Sequence, residues 1–197
     1  MMAETRMTTM IPKDRIGVLV GPKGSVKATI ERKLAVAIEV DSESGAVDVG
    51  LRAEAPDPSN TLRARDMVQA IGRGFSPERA FSLFNEDNTL GIIDLHEFFG
   101  KNESEIRRVD GRIIGREGKT RRIIEEFTGT LISVSGHTVS IIGTFDGVST
   151  AKDALEKLIS GRQHGTVYKF LRKRRAQTKK EKAIGLWEGQ PVAPKKS

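Results

Sequence analysis

The 197-residue sequence contains no cysteine. That absence excludes disulfide bridges, catalysis by a cysteine thiolate and zinc sites built on cysteine. Aromatic residues make up only 5% of the chain, so a core must be built mainly from Ile, Val, Leu and Ala. No apolar run is long enough to predict a membrane-spanning helix, and the first ten residues lack the apolar segment of a secretory signal. We therefore expect a cytoplasmic protein without membrane contact.

Positive charge is concentrated near the C-terminus. The formal net charge is +7, but residues 1–161 sum to −2, residues 162–182 to +8 and residues 183–197 to +1. A basic segment attached to a near-neutral body favours a polyanionic partner. A solubilising, disordered tail would have the same composition, so charge alone leaves both interpretations open.

An internal repeat organises the sequence. The segment GPKGSVKATIERKLAVAIEV, residues 21–40, aligns without a gap with GREGKTRRIIEEFTGTLISV, residues 115–134. Two Gly-x-x-Gly (GxxG) turns coincide, and apolar positions coincide, at a constant offset of 94 residues. Each copy predicts a short helix, the turn, a second helix, two strands and a closing helix.

The pattern also predicts where the copies begin and end. One strand is expected ahead of each GxxG, at residues 5–11 and 104–109. The remaining strands are expected at 37–41, 47–51, 131–134 and 139–142, and the closing helices at 60–71 and 147–160. The apolar residues between 90 and 99 are expected to pack between the copies. The predicted units are residues 1–84, an apolar inter-domain segment 85–102, residues 103–162, and a basic C-terminal extension 163–197.

The stretch GREGKT, residues 115–120, fits two motifs. Gly118-Lys119-Thr120 matches the end of a nucleotide-binding P-loop, whose first glycine must lie five positions before Gly118. That position is Ile113, and the first copy reads Gly24-Ser25 without a lysine. The alternative, a GxxG turn that clamps single-stranded RNA, fits both copies and is therefore preferred.

Glycines in such a turn bring backbone amides close to a phosphate at the N-terminus of the following helix, where the dipole favours an anion. Flanking cations can pair with further phosphates. Ordinary exposed helix charge is the alternative interpretation for Lys27 and Arg122. The candidate RNA-binding residues are Gly21, Pro22, Lys23, Gly24, Lys27, Arg112, Gly115, Arg116, Glu117, Gly118, Lys119 and Arg122.

Catalysis and metal binding have little support in the sequence. His96, His137 and His164 lie far apart along the chain and in different predicted elements, and no HxxxH spacing occurs. No acidic pair marks an active site. We therefore predict no enzyme activity, no cofactor and no metal site.

Two GxxG turns in matching helix–loop–helix–strand contexts resemble the type I KH domain, twice over, across residues 5–75 and 103–162. The resemblance implies an α+β fold, β-α-α-β-β-α in each copy, with a three-stranded antiparallel sheet covered by helices. More specifically, LGIIDLHEFFGK between the copies, GRIIGREGKTRRIIEEFTGTLISVSGHTVSIIG in the second copy and the basic KFLRKRR resemble archaeal members of the partner-of-Nob-one family, also called Dim-two.

That family resemblance implies a non-catalytic protein that binds single-stranded RNA near the 3′ end of small-subunit rRNA during ribosome assembly. It also implies two protein partners, the Nob endonuclease and the alpha subunit of translation initiation factor two. The alternative is a protein–protein adaptor in ribosome assembly or translation with only non-specific RNA affinity. Eukaryotic members have a degenerate first copy, whereas Gly21-Pro22-Lys23-Gly24 is intact here, so the sequence leaves open which copy dominates RNA binding.

Overall fold

Each half of the chain folds into a three-stranded antiparallel sheet covered by helices. The computed structural model describes residues 6–52 and 57–188. In each of its two sheets the last of the three strands along the chain lies in the middle. The predicted α+β class with two KH-type copies is therefore confirmed. Within the described ranges, no helix is both long and apolar enough to cross a membrane.

The first copy begins with a strand and closes with a helix that covers its sheet. Its elements are β1 (Arg6–Met10), α1 (Lys13–Val20), a 3-10 turn (Pro22–Gly24), α2 (Ser25–Leu34), β2 (Val36–Val40), β3 (Ala46–Leu51) and α3 (Ser59–Gly72). A short helix α4 (Pro77–Ala80) and a second 3-10 turn (Phe81–Phe84) follow. The core of this copy is aliphatic apart from Phe75, and α1, α2 and α3 all contribute buried residues to it.

The second copy repeats the order and adds a long terminal helix. Its elements are β4 (Asn88–Asp94), α5 (His96–Phe99), α6 (Glu103–Ile114), a 3-10 turn (Arg116–Gly118), α7 (Lys119–Thr128), β5 (Leu131–Ser135), β6 (Thr138–Thr144), α8 (Phe145–Ile159) and α9 (His164–Glu188). The second core draws buried residues from α6, α7, α8 and α9 and from β4, β5 and β6.

The strand predicted at residues 104–109 is wrong, because this segment belongs to helix α6. Ile106, Val109 and Ile113 recur at three- and four-residue spacing and are all buried in the second core, which is helical periodicity. The missing strand lies in the segment predicted to join the domains. Residues 88–94 form β4, which pairs with β6 along its whole length. Residues 88–94 of the predicted inter-domain segment 85–102 are therefore a strand of the second sheet.

The basic extension predicted to start at residue 163 is also partly integrated into the second copy. Val167 and Leu171 on α9 are buried in its core, so the first half of that helix is held by apolar packing. Residues 189–197 of the predicted extension, and residue 5 of the first predicted strand, lie outside the described residues.

The two copies contact each other through apolar and polar groups. Ile142 of β6 belongs to the first core, and Leu90 packs against that core, whereas Ile93 and Leu95 belong to the second. The expected packing of the 90–99 segment between the copies therefore holds for Leu90 and is wrong for Ile93 and Leu95. Ser133 Oγ on the outer strand β5 donates to the carbonyl oxygen of Arg73 at 3.0 Å.

One buried carboxyl group makes the stability of the second copy sensitive to pH. Asp110 lies on α6, and its Oδ1 is buried without a hydrogen-bond partner in the described part of the chain. Burial raises the pKa of Asp110 to about 6, from an ordinary value of 3.8. The ionised form is therefore disfavoured in the folded protein relative to the unfolded chain. The protonated Asp110 therefore makes its full contribution to the free energy of unfolding below pH 3.8. That contribution is lost as the pH rises through 6, where the carboxyl group ionises in the folded protein.

We predict that Asp110→Asn stabilises the protein above pH 6, because asparagine has the shape of the protonated aspartic acid and cannot ionise. The expected gain is about 1 kcal/mol, allowing for partial solvent screening of the carboxylate. Urea unfolding at pH 4, 5, 6 and 7.5 measures it, and the gain should disappear at pH 4. The exposed turn residue Asp87, changed to Asn, is the matched control. A gain that does not depend on pH would contradict the assignment.

Candidate nucleic-acid interface

The two GxxG loops adopt the same backbone conformation. The first glycine has φ 72° and ψ 175° at Gly21, and φ 70° and ψ 175° at Gly115. The third residue has φ 52° and ψ 30° in both loops, and the second glycine has φ 76° and ψ 12° in one and φ 73° and ψ 14° in the other. The sequence repeat is therefore a repeat of geometry, with one 3-10 turn joining two helices each time.

The two glycines of each loop serve different purposes. A Cβ atom added to Gly21 would lie 2.9 Å from Val26 Cβ, and one added to Gly115 would lie 2.8 Å from Thr120 Cβ. The second glycines, Gly24 and Gly118, have no neighbour closer than 4.0 Å at that position. The first glycine thus lets the second helix pack tightly against the turn, whereas the second leaves open space that a ligand backbone can approach.

This geometry disagrees with a P-loop. The element that precedes Gly115 is helix α6 rather than a strand, and Ile113, which would have to be the first glycine, is fully buried on that helix. Gly118-Lys119-Thr120 is instead the start of α7, with Gly118 as its N-cap in the left-handed conformation.

Cations surround the second loop. A surface depression of about 490 Å³ lies beside it and contains glycines, one threonine, one tyrosine, one histidine and four cationic residues, but no acidic residue among those described. The cations are Arg108, Arg112, Arg116 and Lys119. Because the depression adjoins the N-terminus of α7, helix dipole and side-chain charge both favour an anion there.

The predicted side chains of the second copy differ in how free they are. Arg116, Glu117 and Lys119 are exposed on the loop. Arg112 donates from Nε to the carbonyl oxygen of Leu158 at 3.4 Å and from Nη2 to that of Arg162 at 2.6 Å. Arg112 therefore holds the turn between α8 and α9 and has fewer donors left for a ligand.

Two further predicted cations have partners within their own copy. Arg122 Nη2 donates to the carbonyl oxygen of Glu117 at 2.5 Å, which braces the second loop. Lys27 Nζ lies 3.8 Å from Glu31 Oε1. In the first loop, Lys23 is exposed. Arg122 and Lys27 thus fit the interpretation as helix-surface charges better than the loop residues do.

Sequence reasoning missed a pair of equivalent glutamates that face the sheets. Glu31 Oε1 accepts from the backbone N–H of Ile38 at 2.9 Å, and Glu125 Oε1 accepts from that of Ile132 at 2.7 Å. Ile38 lies on β2 and Ile132 lies on β5, the outer strands next to the helices that follow the loops. The signal was available, because the two glutamates also lie 94 residues apart.

The surroundings of these glutamates make the grooves unequal, where a groove is the space bounded by the loop, its two helices and the outer strand. Glu31 is paired with Lys27 of its own helix. Glu125 is paired instead with Arg79, which belongs to helix α4 of the first copy. Part of the second groove is therefore bounded by the first copy.

Helix α9 is attached to the two helices that flank the second loop. Tyr168 Oη lies 3.1 Å from Thr120 Oγ1, and His164 Nε2 lies 2.9 Å from the carbonyl oxygen of Arg112. Arg175 lies over the ring of Phe127, 5.3 Å from its centroid. The helix thus carries a series of exposed cations away from the loop: Lys169, Arg172, Lys173, Arg174, Arg175, Lys179 and Lys180.

Two of the three histidines, which are far apart in the sequence, meet in the structure. His96 and His137 stack with ring centroids 4.0 Å apart, because the start of α5 and the β5–β6 turn meet at one end of the second sheet. His164 lies on α9.

Comparison with known proteins places the second copy in a defined class. A family model for the second KH domain of PNO1, described as a eukaryotic type KH-domain (KH-domain type I), matches residues 89–176. The matched range runs from β4 into α9, which agrees with the observed extent of the second copy.

Similar proteins cover both copies. The KH domain-containing protein MJ0443 of Methanocaldococcus jannaschii is 45% identical over 90% of this chain and 77% of its own length. The pre-rRNA-processing protein pno1 of Schizosaccharomyces pombe is 32% identical over 74% of this chain, which spans 61% of that protein. A chain in the crystal structure of the a/eIF2alpha–aDim2p–rRNA complex from Pyrococcus horikoshii OT3 is 47% identical, with a TM-score of 0.84, over 89% of this chain and 97% of that one.

We predict that alanine is tolerated at Gly118 but not at Gly115. The backbone of Gly115 lies in a region open almost only to glycine, and its Cβ would collide with Thr120, so Gly115→Ala should cost about 3 kcal/mol or more. Gly118 is left-handed with open space, so Gly118→Ala should cost about 1 kcal/mol. Urea unfolding compares them, with Gly21→Ala and Gly24→Ala as the equivalent pair. Equal costs within a pair would refute the division of roles.

Proposed function

The chain belongs to the PNO1 (Dim2) family of KH-domain proteins, and from that premise we propose that it binds single-stranded RNA through its two GxxG loops during assembly of the small ribosomal subunit. The observation that carries the proposal is the cationic depression beside the second loop, at the N-terminus of α7. Its chemistry suits a phosphate backbone, and the open face of Gly118 lets that backbone come close.

The RNA we propose is the 3′ region of small-subunit rRNA. Support comes from the pre-rRNA-processing name of the fission yeast relative and from the rRNA in the Pyrococcus complex. Two protein partners follow in the same way. The alpha subunit of the initiation factor is present in that complex, and the Nob endonuclease is implied by family resemblance. The expected cytoplasmic location rests on the same role.

In this mechanism the two copies contribute unequally. Arg116 and Lys119 pair with successive phosphates at the second loop, and the exposed cations of α9 extend the track along the RNA backbone. The first loop offers Lys23, and Lys27 is already paired. We therefore assign most of the backbone affinity to the second copy.

The first groove contributes differently, because among the residues that the structure describes no side-chain hydrogen bond or ion pair joins its outer strand β2 to the second copy. Glu125 of the second groove is held by Arg79, and β5 is contacted by Arg73. Bases entering the first groove meet α1, α2 and β2 without such a neighbour among the described contacts. We assign base contacts mainly to this groove, over a floor of aliphatic side chains.

We propose that the protein is not an enzyme. RNA binding of this kind needs only positioned donors and cations, and the GxxG turns supply these without a nucleophile or a general base. Cleavage of the bound RNA would then fall to a partner.

The test is fluorescence anisotropy of a labelled single strand from the 3′ end of small-subunit rRNA, against a scrambled strand, across a salt series. Gly118→Asp should weaken binding about tenfold or more, because a carboxylate would face the phosphate. Gly118→Asn is the matched control, since asparagine also tolerates the left-handed conformation and carries no charge. Gly24→Asp and Gly24→Asn form the same comparison in the first loop.

If the Asp and Asn variants at Gly118 weakened RNA binding equally, and those at Gly24 did so too, the loops would not act as phosphate clamps. Equal binding of the true and scrambled strands, lost together as salt rises, would mean that only backbone charge is read. The protein–protein adaptor would then become the better description of the chain.

We also predict that Lys179→Gln together with Lys180→Gln lowers affinity equally for true and scrambled strands. Two lost phosphate contacts should reduce the slope of log affinity against log salt by up to about 2. Lys13→Gln with Lys101→Gln removes the same charge at the start of α1 and in the turn before α6, at the ends of these helices that lie away from the loops. A slope equally reduced in this control would show that net charge, and not α9, sets the salt dependence.

A further inference from the structure

Three side chains with metal-ligating atoms meet at one end of the second sheet. Asp94 is the last residue of β4, His96 is the first residue of α5, and His137 lies in the turn between β5 and β6. One oxygen or nitrogen atom from each lies within 4.8 Å of the others. The cluster is well away in sequence from both GxxG loops.

Backbone contacts hold the two segments together. Asp94 pairs in register with Thr138, and the N–H of Leu95 donates to the carbonyl oxygen of His137 at 2.8 Å. Asp94 Oδ1 also accepts from the backbone N–H of His96 at 2.9 Å, which fixes the direction of the carboxylate. The fold therefore places these three residues side by side before any ligand arrives.

The distance between Asp94 and His96 resembles that between two ligands of one ion more than that of a hydrogen bond. Asp94 Oδ1 lies 3.7 Å from His96 Nδ1, which is too long for a hydrogen bond. Two ligands each about 2.0–2.1 Å from a tetrahedral zinc ion are separated by about 3.4 Å. The rings of His96 and His137 stack with centroids 4.0 Å apart and 14° between their planes, so their in-plane nitrogen lone pairs lie side by side. The exposed His137 ring must rotate about its side-chain torsions to direct a nitrogen at the same ion.

We propose that Asp94, His96 and His137 bind a divalent transition-metal ion of the zinc class, with water completing the coordination. Two imidazoles and one carboxylate suit Zn²⁺, Co²⁺ or Ni²⁺ and disfavour Mg²⁺ and Ca²⁺, which take oxygen ligands. The ion would join the β5–β6 turn to the end of β4.

An ion at this place would also affect the cleft between the two copies. The β5–β6 turn lines a cleft of about 600 Å³ between the two copies, together with residues 9–12 and with Gln69, Gly72 and Arg73 of the first copy. An ion bound to His137 would fix that turn. Binding should therefore stabilise the protein against unfolding as well as fill the site.

The test is titration of the full chain with Co²⁺ and Zn²⁺, free of affinity tag and in a buffer that does not bind metal. We expect one equivalent to bind, visible absorption bands from Co²⁺, a rise in Tm with Zn²⁺, and no such rise with Mg²⁺. His137→Gln should weaken binding by more than about tenfold and remove the rise in Tm. Asp94→Asn should weaken binding as well.

His164→Gln is the matched control, because the chain has three histidines and no cysteine. That variant should bind Co²⁺ as the unchanged protein does. Circular dichroism establishes that each variant is folded. Absence of binding to the unchanged protein, or binding that is lost with His164→Gln and kept with His137→Gln, would overturn the proposal.

Discussion

The structure depends on one steric constraint, which is that no side chain fits at the first glycine of each GxxG loop. Val26 and Thr120 come so close to Gly21 and Gly115 that a Cβ atom would overlap them. This close approach sets the second helix against the turn and directs its N-terminus to the surface. The open second glycine, the exposed loop side chains and the dipole of the helix then meet at one place. A substitution that relaxed this contact would separate the features that the proposed RNA site needs together.

The residue that packs against the first glycine also distinguishes the two copies. It is Val26 in the first copy and Thr120 in the second, and only threonine offers a hydroxyl group. Thr120 uses it to contact Tyr168 of α9, whereas Val26 has no group that could do so. The long basic helix is thereby attached beside the second loop and not beside the first. A single change from an apolar to a polar β-branched residue thus accompanies the division of labour that we propose between the copies.

Much of the fold could be predicted because the informative residues were local and repeated. The glycines, the helical apolar stripes and the strands after them all recur at the same offset, and the structure contains them at nearly the predicted bounds. The strand β4 was missed because Leu90, Ile92, Ile93 and Leu95 do not alternate cleanly. The start of α6 was taken for a strand because the repeat requires a strand ahead of each GxxG, although Ile106 and Val109 are three residues apart, which is a helical spacing.

The contacts between distant segments could not be predicted in the same way. The pairing of Arg79 with Glu125 and the stacking of His96 on His137 depend on how the sheets and helices are placed, and spacing along the chain carries no information about either. Equivalent residues in the repeat, such as Glu31 and Glu125, are an exception, because the alignment that revealed the loops also aligns them.

The contact between Ser133 and Arg73 has a consequence for how the protein avoids aggregation. The outer strand of a sheet offers unpaired backbone groups to strands of other molecules, and natural proteins cover or interrupt such edges. Here the first copy contacts β5 through the hydrogen bond from Ser133 to Arg73, and Glu125 accepts the backbone N–H of Ile132 on the same strand. The first copy is made earlier during synthesis and is available to shield β5 as soon as it forms. A second copy produced alone would expose the part of this edge that the first copy contacts, and should aggregate more readily than the whole chain.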